Sequence, residues 1–429
     1  MITIRAYWGP LVLSIGLLLL LAKDRTAACE AMLSGVADRT LAVMIIAFLG
    51  AGVLGQILVT AGVIKAVVWL GYLAGLQGTP FLLLSFAIAA LVATATGTAT
   101  GTCVTCVPIL YPGGVLLGAH PALLLGAIYS GARFGDNLAP ISDTTVASAL
   151  TQGAGIGEVV RTRLKYALAA SAGSVLLYAV VGPVVGPGAF HTAGDMTLPL
   201  EKYARPQALA MLLAPALTIF LCLRGRHLIH AIWYGILSAV ATGLLSGSLT
   251  VADLYYLRAP REVGGAITEG LVNMGDVVLL AIFIMAVLGP LRAAGTVEVL
   301  ITAVTRFATT VKRAELAIFG LVTLMCPLTA SNTPAMLFCG PVVKDIGRKF
   351  RIHRTRRANL MDLAGNGVTE NLPHINTILA LAGAMIASHQ ATGVPLVPIP
   401  LVGALAFHPM LLTGVGLVSI ATGWGSRRG

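Results

Sequence analysis

Between Gly131 and Thr145 the sequence reads G-A-R-F-G-D-N-L-A-P-I-S-D-T-T, with apolar sequence on both sides. Two carboxylates (Asp136, Asp143), an amide (Asn137) and three hydroxyls (Ser142, Thr144, Thr145) therefore lie where hydrocarbon is expected. Ionisable groups inside a bilayer are costly and rare, so a cluster of them marks a functional site by default. Gly135 and Pro140 are expected to break the helix and free backbone carbonyls. That is tolerable at membrane depth only within protein or beside a wet cavity. Carboxylates, hydroxyls and free carbonyls suit a hard cation, with sodium expected at Asp136, Asn137 and Asp143. The plain alternative is an exposed loop whose Asp and Asn cap two helices. A second copy of the stretch argues against it.

The elements that must hold these groups follow from composition. The chain is 57% hydrophobic and 10% charged, with mean hydropathy +0.89, whereas soluble domains carry about 25% charged residues. It reads as an all-α polytopic protein whose partner is the lipid bilayer. The formal charge of +11 sits in short stretches between apolar runs, which positive-inside topology explains without a nucleic-acid partner. The first 22 residues resemble a short signal peptide but lack a cleavage site, and read as a retained first helix. Cys103 and Cys106 have redox spacing in an apolar, Thr-rich run, and read as packing residues. No zinc pattern, phosphate loop or dinucleotide fingerprint appears, so no cofactor is expected. Nor is an enzyme expected, because no nucleophile–base pair or metal cluster stands out.

Shifting the chain by 234 positions aligns its halves: Gly131 meets Gly365, Asp136-Asn137-Leu138 meets Glu370-Asn371-Leu372, and Ile141-Ser142 meets Ile375-Asn376. Two repeats follow, each with a re-entrant hairpin and a discontinuous helix. An N-terminal helix and loop fill 1–40. Repeat 1 fills 41–186, with its hairpin at about 80–118, a Thr-rich tip holding Thr100 and Thr102, and a broken helix at about 121–150. A linker with two spans fills 187–262. Repeat 2 fills 263–429, with its hairpin at about 314–343, the tip Ser331-Asn332-Thr333, and a broken helix at about 358–388 carrying Glu370 and Asn371. Two ordinary spans with a Thr-rich turn are the alternative to the first hairpin. Val63–Gly75 and Val297–Arg313 read as interfacial segments. The basic run Lys344–Arg357 has no counterpart in Tyr111–His120, so the repeats are expected to be inverted, the former turn cytoplasmic and the latter external. Loops with Lys23–Arg39, Arg161–Lys165 and Arg427–Arg428 then fall inside. Nine spans in a plasma (inner) membrane result, with a cytoplasmic C-terminus; a homodimer is left open.

The stretch F-G-D-N-L-A-P-I-S-D-T-T, followed by G-A-G and R-T-R-L-K-Y-A, resembles the signature of the NhaC-type sodium/proton antiporters, within the ion transporter superfamily. Ser331-Asn332-Thr333 is similar to the S-N-T hairpin motifs of that superfamily's sodium-coupled carboxylate carriers. The resemblance is close over about Thr94–Ala167 and looser across both repeats. It implies a secondary transporter with inverted repeats that exchanges sodium for protons. The chain departs at Asn137, where many members carry Lys or His, and its second half keeps little of the signature. Related sequences carry amino acids or organic acids.

Antiport needs a site that binds sodium or a proton but not both, and a buried carboxylate does this. Asp136 and Asp143 are the expected carriers, with Glu370 as the counterpart in repeat 2. Asn137, Ser142, Thr144, Asn332, Thr333 and Asn371 add neutral oxygens, and Thr100, Thr102 and Ser331 complete the tips. Arg133, one turn before Asp136, either neutralises it, competes with sodium, or binds an anion. His374 is a candidate pH modulator or a packing histidine. Asp362 reads as neutralising nearby arginines, and Asp276 as a charge at a helix start. The runner-up function is a sodium- or proton-coupled carrier of a small carboxylate or amino acid. A channel is disfavoured by the broken helices and paired tips.

Overall fold

The computed structural model describes residues 8–37, 39–63, 65–66, 69, 75–186, 205–224, 226–258, 262–295 and 308–426. Helices α1 (Trp8–Leu21), α2 (Arg25–Val36) and α3 (Arg39–Ala61) come first. Hairpin one is α4 (Gly78–Thr96) and α5 (Ala99–Leu116). Broken helix one is α6 (Pro121–Leu138) and α7 (Asp143–Thr151), and α8 (Ile156–Val185) follows. A 3-10 turn at Pro206–Leu212 leads to α9 (Leu213–Leu223), α10 (Leu228–Leu245) and α11 (Val251–Leu254). Strands β1 (Tyr256–Arg258) and β2 (Glu262–Gly264) then pair antiparallel. After α12 (Ala266–Ala293) come hairpin two, α13 (Val311–Thr329) and α14 (Asn332–Lys349), and broken helix two, α15 (Arg354–Gly365) and α16 (Asn376–Thr392), with a 3-10 turn at Val368–Asn371 inside the break. Helices α17 (Ile399–Ala404) and α18 (Phe407–Thr422) end the described chain.

This is an all-α membrane protein of two inverted repeats. Helices α4, α5, α6 and α7 start 233 positions before α13, α14, α15 and α16 respectively. Among the described residues, five helices are long and apolar enough to cross a membrane: α3, α4, α8, α10 and α12. Each hairpin turns on a left-handed residue, Gly97 (φ 71°) in the first and Ala330 (φ 47°) in the second, and these too lie 233 positions apart. The repeats interlock: α5 packs on α16, and α14 packs on α7. The two tips consequently face the two breaks.

The sequence explains the breaks only in part. Pro121 starts α6 at a position where its missing N–H costs nothing. The helix then runs through Gly135 and stops at Leu138, two residues before Pro140. Pro140 is thus the breaker, and Gly135 has another job. A Cβ there would lie 2.1 Å from the Ala90 carbonyl oxygen, so glycine lets α6 press against α4, as small residues do between membrane helices.

Several expectations are corrected. Lys23 to Arg39 is not a loop, because α2 occupies most of it and packs on α12, where Gly35 and Gly289 allow backbone approach. The basic trio Arg161, Arg163 and Lys165 lies within α8 instead of preceding it, and Arg163 is buried. Arg356 and Arg357, counted in a basic turn, are buried in α15. Arg356 makes a bidentate pair with Glu315 of α13 at 2.7 and 2.9 Å. Asp276 does not open a helix; it lies one-third of the way along α12. Most of the expected interfacial segments Val63–Gly75 and Val297–Arg313 lies outside the described residues, as does 187–204 of the linker.

Candidate functional site

A cavity of about 460 Å³ lies between the repeats. Hairpin one contributes Thr98, Thr100, Gly101 and Thr105, and hairpin two Ser331 and Asn332. The broken helices contribute Arg133, Asp136, Asp143, Asn376 and Thr377, and α3 with α12 adds Gln56, Asn273 and Asp276.

Asp136 sits in the last turn of α6, where the helix leaves carbonyls without intrahelical donors. Its Oδ1 accepts from Ser142 Oγ at 2.6 Å, and Ser142 contacts Thr144 Oγ1 at 3.0 Å. Asp143 is the first residue of α7. One oxygen accepts from the Thr144 amide at 2.8 Å and the other from Thr333 Oγ1 of the opposite tip at 2.7 Å. Across the cavity, Thr100 Oγ1 lies 3.1 Å from Thr377 Oγ1. The two cross-repeat contacts start from equivalent tip residues, Thr100 and Thr333, 233 positions apart, but land one residue out of register, on Thr377 (the equivalent of Thr144) and on Asp143. The helix starts correct the alignment at this point by one position, setting Asn376 against Asp143 instead of Ser142, so the acid is on one side only.

Arg133 is 1% exposed. Its Nη1 lies 3.7 Å from Asp136 and its Nη2 3.2 Å from Glu370, while Nη2 also donates to Asn366 Oδ1. Its Nε, although buried, has no hydrogen-bond partner among the described residues. Glu370 is held in the 3-10 turn of the second break, where its backbone carbonyl accepts from Tyr129. Among the described residues, neither of its carboxylate oxygens has a hydrogen bond besides the Arg133 ion pair.

The structure brings Asp136, Asp143, Thr100, Ser331, Asn332 and Arg133 to the cavity wall. Ser142, Thr144 and Thr333 stand behind it as donors. Asn137 is turned away: its Nδ2 donates to Asp362, while its Oδ1 is buried without a partner. Thr102 bonds back to the Thr98 carbonyl at 2.7 Å. Asn371 donates to the Ala406 carbonyl at 2.9 Å and is remote from the cavity lining. His374 is exposed, with Nε2 3.1 Å from the Pro327 carbonyl oxygen.

Sequence reasoning missed Asp276, Asn376 and Thr377 on the wall, and a second charged centre behind it. There Arg163 pairs with Asp362 at 2.9 Å, both fully buried. The expectation that Asp362 neutralises an arginine fits this pair, but the arginine comes from the other repeat. A lone carboxylate in A-N-L-M-D-L-A-G was the available signal.

Residues 36–183 and 197–415 match the model of the Na+/H+ antiporter family. Over 203 residues the chain is 26% identical to the Na(+)/H(+) antiporter NhaC of Alkalihalophilus pseudofirmus, covering 45% of this chain and 44% of that one. It is 32% identical over 157 residues to the malate-2H(+)/Na(+)-lactate antiporter of Bacillus subtilis, covering 37% and 33%. The match thus spans less than half the length of these two curated relatives. A longer match, 24% identical over 381 residues, covers 85% of this chain and 76% of the arginine/ornithine antiporter ArcD of Halobacterium salinarum. The fold is shared with the Alcanivorax borkumensis YdaH transporter, at TM-score 0.63 and 14% identity over 94% of this chain and 90% of that one.

Proposed function

Because the chain belongs to the Na+/H+ antiporter family, we propose that it exchanges sodium for protons by alternating access, with the carboxylates at the first helix break binding cation or proton in competition. The observation that carries this is the placement of Asp136 and Asp143 on one cavity wall, at the two ends of one break, each with a hydroxyl donor. Such donors favour the charged form that holds a cation, and protonation removes the charge.

Charge counting supports the reading. In the polar cluster shared by the two helix breaks, four carboxylates (Asp136, Asp143, Asp362, Glu370) face two guanidiniums (Arg133, Arg163), while Asp276 joins the cavity wall separately from α12. With every group ionised, two negative charges remain, and uncompensated charge in a low-dielectric interior is costly. Sodium or protons supply the balance. Arg133, between Asp136 and Glu370, gives way to an arriving cation by leaning on Glu370. In this reading Asn137 acts behind the wall through its bond to Asp362, and His374 acts only at a distance. Positive-inside charge sets the C-terminus in the cytoplasm, and a fused reporter that is active outside would reverse that.

The test is exchange in proteoliposomes. Asp136→Asn and Asp143→Asn each abolish sodium-driven proton flux while the protein still inserts; full activity in both removes the site. One observation favours a second reading, carriage of a small carboxylate or amino acid: Arg133 reaches the cavity wall with its Nε unpartnered. The malate/lactate and arginine/ornithine antiporters among the relatives point the same way.

A further inference from the structure

Arg163 and Asp362 are absent from the cavity wall, and the exchange proposed above does not route cargo through them. They are nevertheless densely bonded. The Arg163 Nη1 reaches Asp362 Oδ2 at 2.9 Å, the Asn137 carbonyl at 2.8 Å and Thr145 Oγ1 at 2.8 Å. Its other nitrogens donate to Asn359 and Ser148, each at 3.3 Å. One guanidinium therefore touches the end of α6, the body of α7 and the middle of α15. The Asn137 carbonyl is one of those a helix terminus leaves without an intrahelical donor, so Arg163 stabilises the break itself.

Asp362 carries the connection onward. Its Oδ1 accepts from Asn137 Nδ2 and, at 2.7 Å, from Asn366 Nδ2. The Asn366 Oδ1 accepts from Arg133 Nη2 and, at 3.0 Å, from Asn332 Nδ2 of the second hairpin. A continuous polar chain thus runs from Arg163 through Asp362 and Asn366 to the groups on the cavity wall. It crosses from repeat 1 to repeat 2 at the Arg163–Asp362 pair and returns at Asn366–Arg133.

We infer that Arg163 and Asp362 are positioning residues, a standing ion pair between the repeats that holds both helix breaks, and through them Asp136 and Arg133, in binding geometry without touching the cargo. The inference rests on the exchange reading for its transport consequence. Removing one partner strands a buried charge, whereas removing both does not. A lysine at 163 keeps the charge but lacks the planar fork that spans three acceptors.

The experiment compares Arg163→Gln, Asp362→Asn, the double variant and Arg163→Lys in proteoliposomes, reading half-saturating sodium and maximal rate, with thermal unfolding alongside. Each single variant is expected to raise half-saturating sodium by about tenfold or more, since misplaced ligands lose at least the energy of one charge-assisted bond. The double variant recovers the unfolding midpoint above either single but keeps the raised half-saturation, and lysine does not restore it. Single variants with wild-type half-saturation overturn the inference. So does a double variant whose midpoint falls by the sum of the singles. A wild-type protein that exchanges no cation sinks the exchange reading alone, and the midpoints then decide whether the pair acts as one unit.

Discussion

Thr333 is the sharpest handle on the proposed cation site at the scale of single residues. Its hydroxyl is the one side chain of hairpin two that bonds directly to a cavity carboxylate. Thr333→Val keeps the volume and removes a hydrogen bond to a charged group, worth about 1.5–3 kcal/mol. Half-saturating sodium should rise roughly tenfold with the protein still folded. Unchanged sodium dependence would show that the tip takes no part. Asp276 makes a different prediction. It lines the same cavity from α12, in line with Asn273 and Glu269 on one helix face, and Gln56 bridges those two at 2.8 and 3.3 Å. Its charge raises local cation concentration without holding the ion at the break. Asp276→Asn should raise half-saturating sodium about threefold and leave the maximal rate alone; a collapsed rate at saturating sodium would place it in the binding step instead. The acids at the first break were legible because carboxylates in an apolar run stand out. Asp276 was not, because a helix beginning there makes it a terminal charge, whereas α12 begins at Ala266. Arg163 was read as a loop charge because its partner lies 199 positions away, and no local pattern reveals such a pairing.

At the scale of elements, the hairpins and breaks were legible, and their contacts were not. The repeat alignment implied a hairpin and a broken helix in each half, and α13 to α16 start a constant 233 positions after α4 to α7. It did not disclose that each tip rests on the broken helix of the other repeat, because hydropathy carries no information about which helices meet. Gly97 shows why tip geometry matters. It sits at φ 71°, and a Cβ there would lie 2.7 Å from the Ile141 side chain and 3.1 Å from its carbonyl carbon. Gly97→Ala combines left-handed strain with overpacking against the first break, a loss of about 2–4 kcal/mol. The expected outcome is a lower unfolding midpoint and weakened exchange. Wild-type midpoint and flux would mean that the tip does not press on the break.

At the scale of the whole molecule, the fold places one cavity between two inverted repeats, with unequal halves. Asp143 and its counterpart Asn376 both line the cavity, and Asp136 and Glu370 flank Arg133. A symmetric frame with asymmetric charge suits alternating access, since the frame permits two related conformations while the cargo binds on one side of the centre. The inversion was legible from charge alone, although two of the arginines counted toward it, Arg163 and Arg356, prove to be buried and ion-paired. The remaining exposed basic residues, such as Arg348, Lys349, Arg351 and Arg354, carry that argument. The most direct test of the exchange account is proton flux in proteoliposomes with an acid interior. Adding sodium outside, with no organic solute present, should alkalinise the lumen. No response to sodium, lithium or potassium, together with flux once an amino acid or dicarboxylate is supplied, would contradict it.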